Sequence, residues 1–193
     1  MKSRKLFKVC ALLMLAVMSC LLFSGCGGQS EQKKFVITYL PNESTDKNAD
    51  ARKGMSKVLG MEVTELVSND YNAVIEAMRT GKADMAYFGP LSFCLAYERA
   101  GAEPIGMIAK DKDKKNATYK SVLVTSSKNT DINSIQDIKG KTMAFVDPNS
   151  TSGNLIPSAA IMKAFPGEKL SMDDLHTNGK FFQAVSFSGK HQA

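Results

Sequence analysis

From residue 35 onward the chain alternates short apolar runs with stretches whose apolar residues recur at helical spacing. Phe35-Val36-Ile37-Thr38-Tyr39-Leu40 reads as a strand, stopped by Pro41-Asn42. Asp46 to Leu59 is a helix candidate closed by Gly60 in the C-cap position. Met61 to Val67 is a second strand, rich in β-branched and apolar residues. In Asp70 to Arg79, the residues Tyr71, Val74, Ile75 and Met78 share one helical stripe, and Gly81 ends it. Ala83 to Phe88 predicts a third strand, Leu91 to Ala100 a helix after Gly89-Pro90, and Pro104 to Ala109 a fourth strand.

A charged loop follows, and then Tyr119 to Thr125 predicts a strand that crosses into a second lobe. Asp131 to Gly140 reads as a short helix, Thr142 to Val146 as a buried strand, and Leu155 to Phe165 as a helix. Phe181 to Phe187 is a last strand, with Ser188-Gly189-Lys190-His191 as the start of one more helix. Strands that alternate with helices predict an α/β fold with mostly parallel neighbours. Residues 119–193 supply about three strands and two helices, near the lower limit for an independent core. A parallel sheet needs both faces covered, so the second lobe is expected to be incomplete and the chain truncated relative to a whole fold.

The first 25 of the 193 residues are set apart by charge and apolarity. Lys2, Arg4, Lys5 and Lys8 precede a nearly unbroken apolar run from Val9 to Phe23. That run is shorter than the ~20 residues of a membrane span and fits a signal-peptide core. Ser24-Gly25-Cys26 resembles a bacterial lipobox, which implies lipid on Cys26 as the mature N-terminus. Residues 26–34 then form a polar tether.

Losing the leader removes four of the 25 basic residues and no acidic one, leaving 21 against 19, a net charge of +2. A nucleic-acid partner loses its support, since no basic stripe interleaved with aromatics remains. Asp111 and Asp113 alternate within Lys110 to Lys115, so that stretch reads as a solvated loop. Of the four cysteines, only Cys94 is left for the fold, where its apolar neighbours Phe93 and Leu95 suggest a small core residue. No disulfide framework, cofactor motif or metal-ligand spacing is present in the sequence.

Candidate chemistry concentrates in Asp147-Pro148-Asn149-Ser150-Thr151-Ser152-Gly153-Asn154, between the Thr142 strand and the following helix. A helix start exposes backbone N–H groups, and hydroxyls there add donors, which together suit an oxyanion. One hydroxyl would serve as an ordinary cap. Ser150, Thr151 and Ser152 in a row, followed by Gly153 for close approach, exceed that need.

Several stretches in this order resemble the phosphonate- and phosphite-binding lipoproteins of ABC importers. They are Leu40 to Ser44, Asp70 to Ala77, Gly81 to Pro90, Tyr119 to Val124, Asp137 to Lys141, Asp147 to Gly153, and Phe187-Ser188-Gly189-Lys190-His191. The resemblance implies a two-lobed, type II periplasmic-binding-protein fold, with lobe one at 35–118 and a partial lobe two at 119–193. It implies a phosphorus oxyanion seated on Ser150, Thr151 and Ser152, with aromatic side chains and His191 closing around it. Tyr71, Tyr87 and Tyr119 are the aromatic candidates. On the residues alone, Tyr71 and Tyr87 are equally explained as packing residues, and His191 as a surface histidine. In the family the chain continues past this histidine, with a return crossing and acidic ligand contacts.

The expected function is thus a non-catalytic receptor, lipid-anchored on the extracytoplasmic face, that delivers phosphonate, phosphite or a related anion to an ABC permease. Two alternatives stand beside it: an exported serine-dependent phosphoester hydrolase, and a receptor for a membrane signalling protein. The hydrolase lacks a Gly-x-Ser-x-Gly elbow, and neither His176 nor His191 has a spacing that specifies a base.

Overall fold

The computed structural model describes residues 34–40, 45–109 and 111–191. The expected leader, the expected lipid anchor at Cys26, most of the expected tether at 26–34 and part of the Leu40 to Ser44 motif lie outside them.

The first sheet has strand order β2-β1-β3, with β1 (Phe35–Tyr39) in the middle, flanked by β2 (Val63–Val67) and β3 (Met85–Ala86). Both pairings are parallel, with Phe35 opposite Val63 and Ile37 opposite Met85. Parallel neighbours require crossovers, which α1 (Thr45–Leu59) and α2 (Tyr71–Arg79) provide. Only two residues of the expected Ala83 to Phe88 strand have strand geometry, but backbone bonds from Asp84 to Val36 and from Tyr87 to Thr38 extend the contact. Thr38 is fully buried and its hydroxyl meets that of Ser68 at 2.9 Å, so the central strand hides a polar pair only by satisfying it. Arg52 of α1 forms an ion pair with Glu65 of β2.

Asp70 caps α2 by accepting from the Ala73 amide at 2.8 Å, as its place before the amphipathic stripe requires. Val74, Ile75 and Ala77 point inward, and α2 packs on α3 (Pro90–Ala100) through Ile75, Ala96 and Leu95. Gly101 ends α3 at φ +63, a left-handed conformation that glycine adopts without strain. Cys94 is exposed, contrary to its expected core position. On α3 the inward places go to Ser92 and Ala96, which leaves Cys94 on the outer side of the helix.

The second sheet pairs β4 (Thr142–Phe145) with β5 (Ala184–Phe187), again in parallel, with Phe145 opposite Phe187. Phe145, Ile161, Leu175, Phe181 and Phe182 bury together against it. Ile161 comes from α4 (Ile156–Ala164) and Leu175 from α5 (Met172–His176). The short helix α5 was not expected from the apolar pattern. A capping box starts it: Ser171 accepts from the Asp174 amide at 3.2 Å, and the Asp174 carboxylate accepts from the Ser171 amide at 2.9 Å.

Four expectations are corrected. Neither 104–109 nor 119–125 forms a strand. An extended segment becomes a strand by pairing, and no described neighbour supplies a ladder, so Ile105, Met107, Ile108, Val122 and Val124 are exposed. The helix at 131–140 reduces to a 3-10 turn, Ile135–Ile138, boxed by Ser134 and Asp137. It is too brief to offset helix nucleation, and Gly140 breaks away at φ +74. Residues 188–191 do not begin a helix. There the amides of Ser188 and Gly189 bond to the carbonyls of Phe145 and Val146, which extends the β4 pairing instead.

Candidate functional site

The hydroxyl-rich turn after β4 has an unusual backbone. Thr151–Leu155 is a single π-helical turn that leads into α4, and Ser150 caps it by accepting from the Gly153 amide at 3.1 Å. Such π-turns recur at functional sites. The turn leans hard on β4: a Cβ added at Gly153 would lie 2.3 Å from Val146 Cγ2. Glycine is thus required here for packing against Val146.

Two hydroxyl oxygens of the triplet accept from the protein itself. Besides the Gly153 amide, Ser150 Oγ accepts from the Tyr71 hydroxyl at 3.3 Å. Thr151 Oγ1 accepts from the Leu91 amide at 2.8 Å, at the start of α3. Accepting in this way leaves each hydroxyl its own proton to donate; Ser150 itself is fully buried. The carbonyl of Ser152 accepts from Ser121 Oγ at 2.7 Å, which ties residues 119–121 to the turn.

Tyr71 is half-buried and stands first in α2. Its hydroxyl contacts Ser150, and His191 Nε2 approaches the same oxygen at 3.2 Å. Because the phenol proton points at Ser150, the histidine donates to the phenol oxygen. Burial raises the Tyr71 pKa above the usual phenol value, the Ser150 hydrogen bond opposes this, and Asp147, Tyr119 and Tyr87 push further upward. The group therefore remains a neutral donor at physiological pH. Beside it, Asn149 Nδ2 donates to Asn72 Oδ1 at 3.3 Å, which also accepts from Arg99.

Tyr119 and Tyr87 are both more than half exposed. A Cβ at Gly89 would meet Thr151 Oγ1 at 3.3 Å and the Tyr119 hydroxyl at 3.7 Å, which places that phenol beside the turn. The structure thus gathers Ser150, Thr151, Tyr71, Tyr119 and His191 in one neighbourhood, with Tyr87 electrostatically coupled to Tyr71. Asp147 is almost fully buried. Burial raises its carboxyl pKa, against a hydrogen bond from the Asn149 amide. Among the described residues no cluster of His, Cys, Asp and Glu is arranged to hold a metal.

Sequence reading missed the Leu91 amide, Ser121, and the pair Asn154 and His176. Gly89-Pro90 carried a signal for the first, since a helix that begins at proline after glycine has no side-chain cap and leaves its N–H groups open. Asn154 and His176 are 22 residues apart and meet at 2.7 Å, a pairing that no local spacing encodes.

Comparison with known proteins gives a consistent result. Residues 35–193 match the family model described as ABC transporter, phosphonate, periplasmic substrate-binding protein. The chain is 30% identical to the phosphate-import protein PhnD of Mycolicibacterium smegmatis over 74% of this chain and 49% of that protein. It is 32% identical to a probable ABC transporter phosphite binding protein, PhnD1, of Prochlorococcus marinus, over 98% of this chain and 60% of that protein. The solved binding-protein component of an ABC phosphonate transporter from Pseudomonas aeruginosa superposes with a TM-score of 0.63 at 25% identity, covering 84% of this chain and 52% of that one. The chain spans about half the length of the relatives it matches.

Proposed function

The chain belongs to the periplasmic substrate-binding proteins of ABC phosphonate transporters, and from that premise we propose that its turn at 150–152 is the seat of a small phosphorus oxyanion. One observation carries the reading: the Tyr71 hydroxyl lies 3.3 Å from Ser150 Oγ and 3.2 Å from His191 Nε2, so three separate segments converge on one helix start. Ser150, Thr151 and Ser152 give hydroxyl and amide donors, Tyr119 and His191 contribute from the sides, and Tyr71 and Tyr87 line the approach. Donors held in place before the ligand arrives lose little freedom on binding. Holding the anion through neutral donors, without an ionised partner, suits a receptor that must also release its cargo.

The same reading assigns 35–118 to one lobe and 119–193 to part of another, with the ligand between them. It gives the protein a lipid anchor at Cys26 and an ABC permease as partner; loss of fatty-acid labelling in Cys26→Ser tests the anchor. A serine hydrolase is disfavoured by geometry, because both histidines direct Nε2 elsewhere, His191 to Tyr71 and His176 to Asn154.

The test is calorimetric titration of the intact protein with methylphosphonate, phosphite, phosphate and sulfate. Hydrogen bonds to a charged group are worth roughly 1.5–3 kcal/mol, so Thr151→Ala is expected to weaken the preferred phosphorus ligand about ten- to a hundredfold. No binding across the panel, or equal affinity in Thr151→Ala, would overturn the assignment.

A further inference from the structure

The proposed anion turn is held from behind by a polar chain that its own residues do not explain. Asn154 lies inside the π-turn with 1% of its surface exposed. Its Nδ2 donates to the Pro148 carbonyl at 2.9 Å, so the amide nitrogen must face that way, since a carbonyl only accepts. Its Oδ1 then faces His176 Nε2 at 2.7 Å and the buried Ser158 hydroxyl at 3.5 Å. An amide oxygen carries no proton, so Nε2 of His176 must carry one. The tautomer is fixed by the carbonyl two bonds away along this chain.

The imidazole itself is packed on one side by aromatic rings. It ends α5 and sits edge-on to both Phe145 and Phe187, each 5.1 Å away between centroids, beside their stacked pair. Packing alone would be met as well by an apolar ring at this position. The N–H is needed only because Asn154 Oδ1 is buried there. If the donor is lost, Oδ1 keeps only the long Ser158 contact, and the amide has no reason to hold its orientation against Pro148.

We propose that His176 and Asn154 brace the turn at 147–152, His176 being a positioning residue that acts through the Asn154 amide to hold the Pro148 carbonyl, and with it the donors of Ser150, Thr151 and Ser152, in place. The purpose of the brace rests on the ligand reading above. Its existence does not, because every contact in it belongs to the unliganded chain.

The experiment has two readouts on the intact protein. Imidazole nitrogen NMR without ligand is expected to show His176 in the Nε2–H form. Amide hydrogen exchange is then compared in wild type, His176→Phe and His176→Gln, with methylphosphonate affinity measured in parallel. A typical hydrogen bond is worth up to about tenfold in an equilibrium. His176→Phe should therefore speed exchange at the hydrogen-bonded turn amides of Ser150, Gly153 and Leu155 about tenfold and weaken affinity by a similar factor, with Ile161 and Phe182 unchanged. His176→Gln, which restores a donor, should recover most of both losses. An Nδ1–H tautomer, unchanged turn exchange in His176→Phe, or glutamine no better than phenylalanine would overturn the brace. Should His176→Phe fail to fold, the tautomer and a comparison of His176→Gln with wild type still decide it. Turn exchange that follows the predicted order in a protein binding no phosphorus oxyanion supports the brace and overturns the ligand reading alone.

Discussion

Residues 104–125 and 142–187 are both rich in apolar runs, and they end in opposite places. In the first, Ile105 is 84% exposed and Val124 88%. In the second, Phe145 and Phe182 are each 1% exposed, inside an aromatic cluster. The difference is partnership rather than hydrophobicity. Thr142 to Phe145 finds β5 at its side and two helices over its face, whereas Tyr119 to Val124 meets no strand among the described residues. Apolar sequence sets a segment's preference for burial; a neighbour's backbone decides whether it becomes a strand.

Phe145→Ala should break that contrast most strongly. The ring contacts Phe182, Phe187 and His176, and removing a buried phenylalanine costs about 3–5 kcal/mol. Val124→Ala should change stability by less than about 0.5 kcal/mol, as exposed substitutions do. Denaturant unfolding of the two variants measures both, and equal losses would erase the distinction.

Gly153→Ala should come next, at about 1–3 kcal/mol, through overpacking between the turn and β4. Adding Val146→Ala should not rescue it, because the new Cβ would still lie 2.4 Å from Val146 Cβ. Recovery in the double variant would show that the turn yields more easily than its geometry implies.

The smallest effect concerns the start of α5. Hydrogen bonds from Ser171, and then the ammonium of Lys180, hold the Asp174 pKa at about 2, below its ordinary 3.8. A depressed carboxylate pKa stabilises the fold above the unfolded-state value and loses that contribution as pH falls through the folded-state value. Stability should therefore decline between about pH 4 and pH 2, and more shallowly in Asp174→Asn. Parallel pH profiles would refute the assignment.

Much of this was legible in the sequence. Asp70 before an amphipathic stripe marked α2, and the Ser150-Thr151-Ser152 triplet marked the turn. The short helix α5 was not read, because apolar periodicity over five residues is too short to stand out, and its capping pair Ser171 and Asp174 shows only in the structure. The π-turn, the proximity of Tyr71 to Ser150 across 79 residues, and the inward turn of Asn154 were not legible. Those follow from how β4, β5 and α2 come together, which local pattern does not record. Cys94 was misplaced because apolar neighbours in sequence do not share a helix face.

Whether the helix start at 150–152 receives a phosphorus oxyanion, as proposed, is decided by backbone amide NMR during a methylphosphonate titration. Saturable shifts are expected to be largest at Thr151, Ser152 and Gly153, with smaller ones at Leu91 and Tyr119 and almost none at Ile105 or Val124. Saturable shifts centred elsewhere, with the amides of 151–153 unmoved, would contradict it.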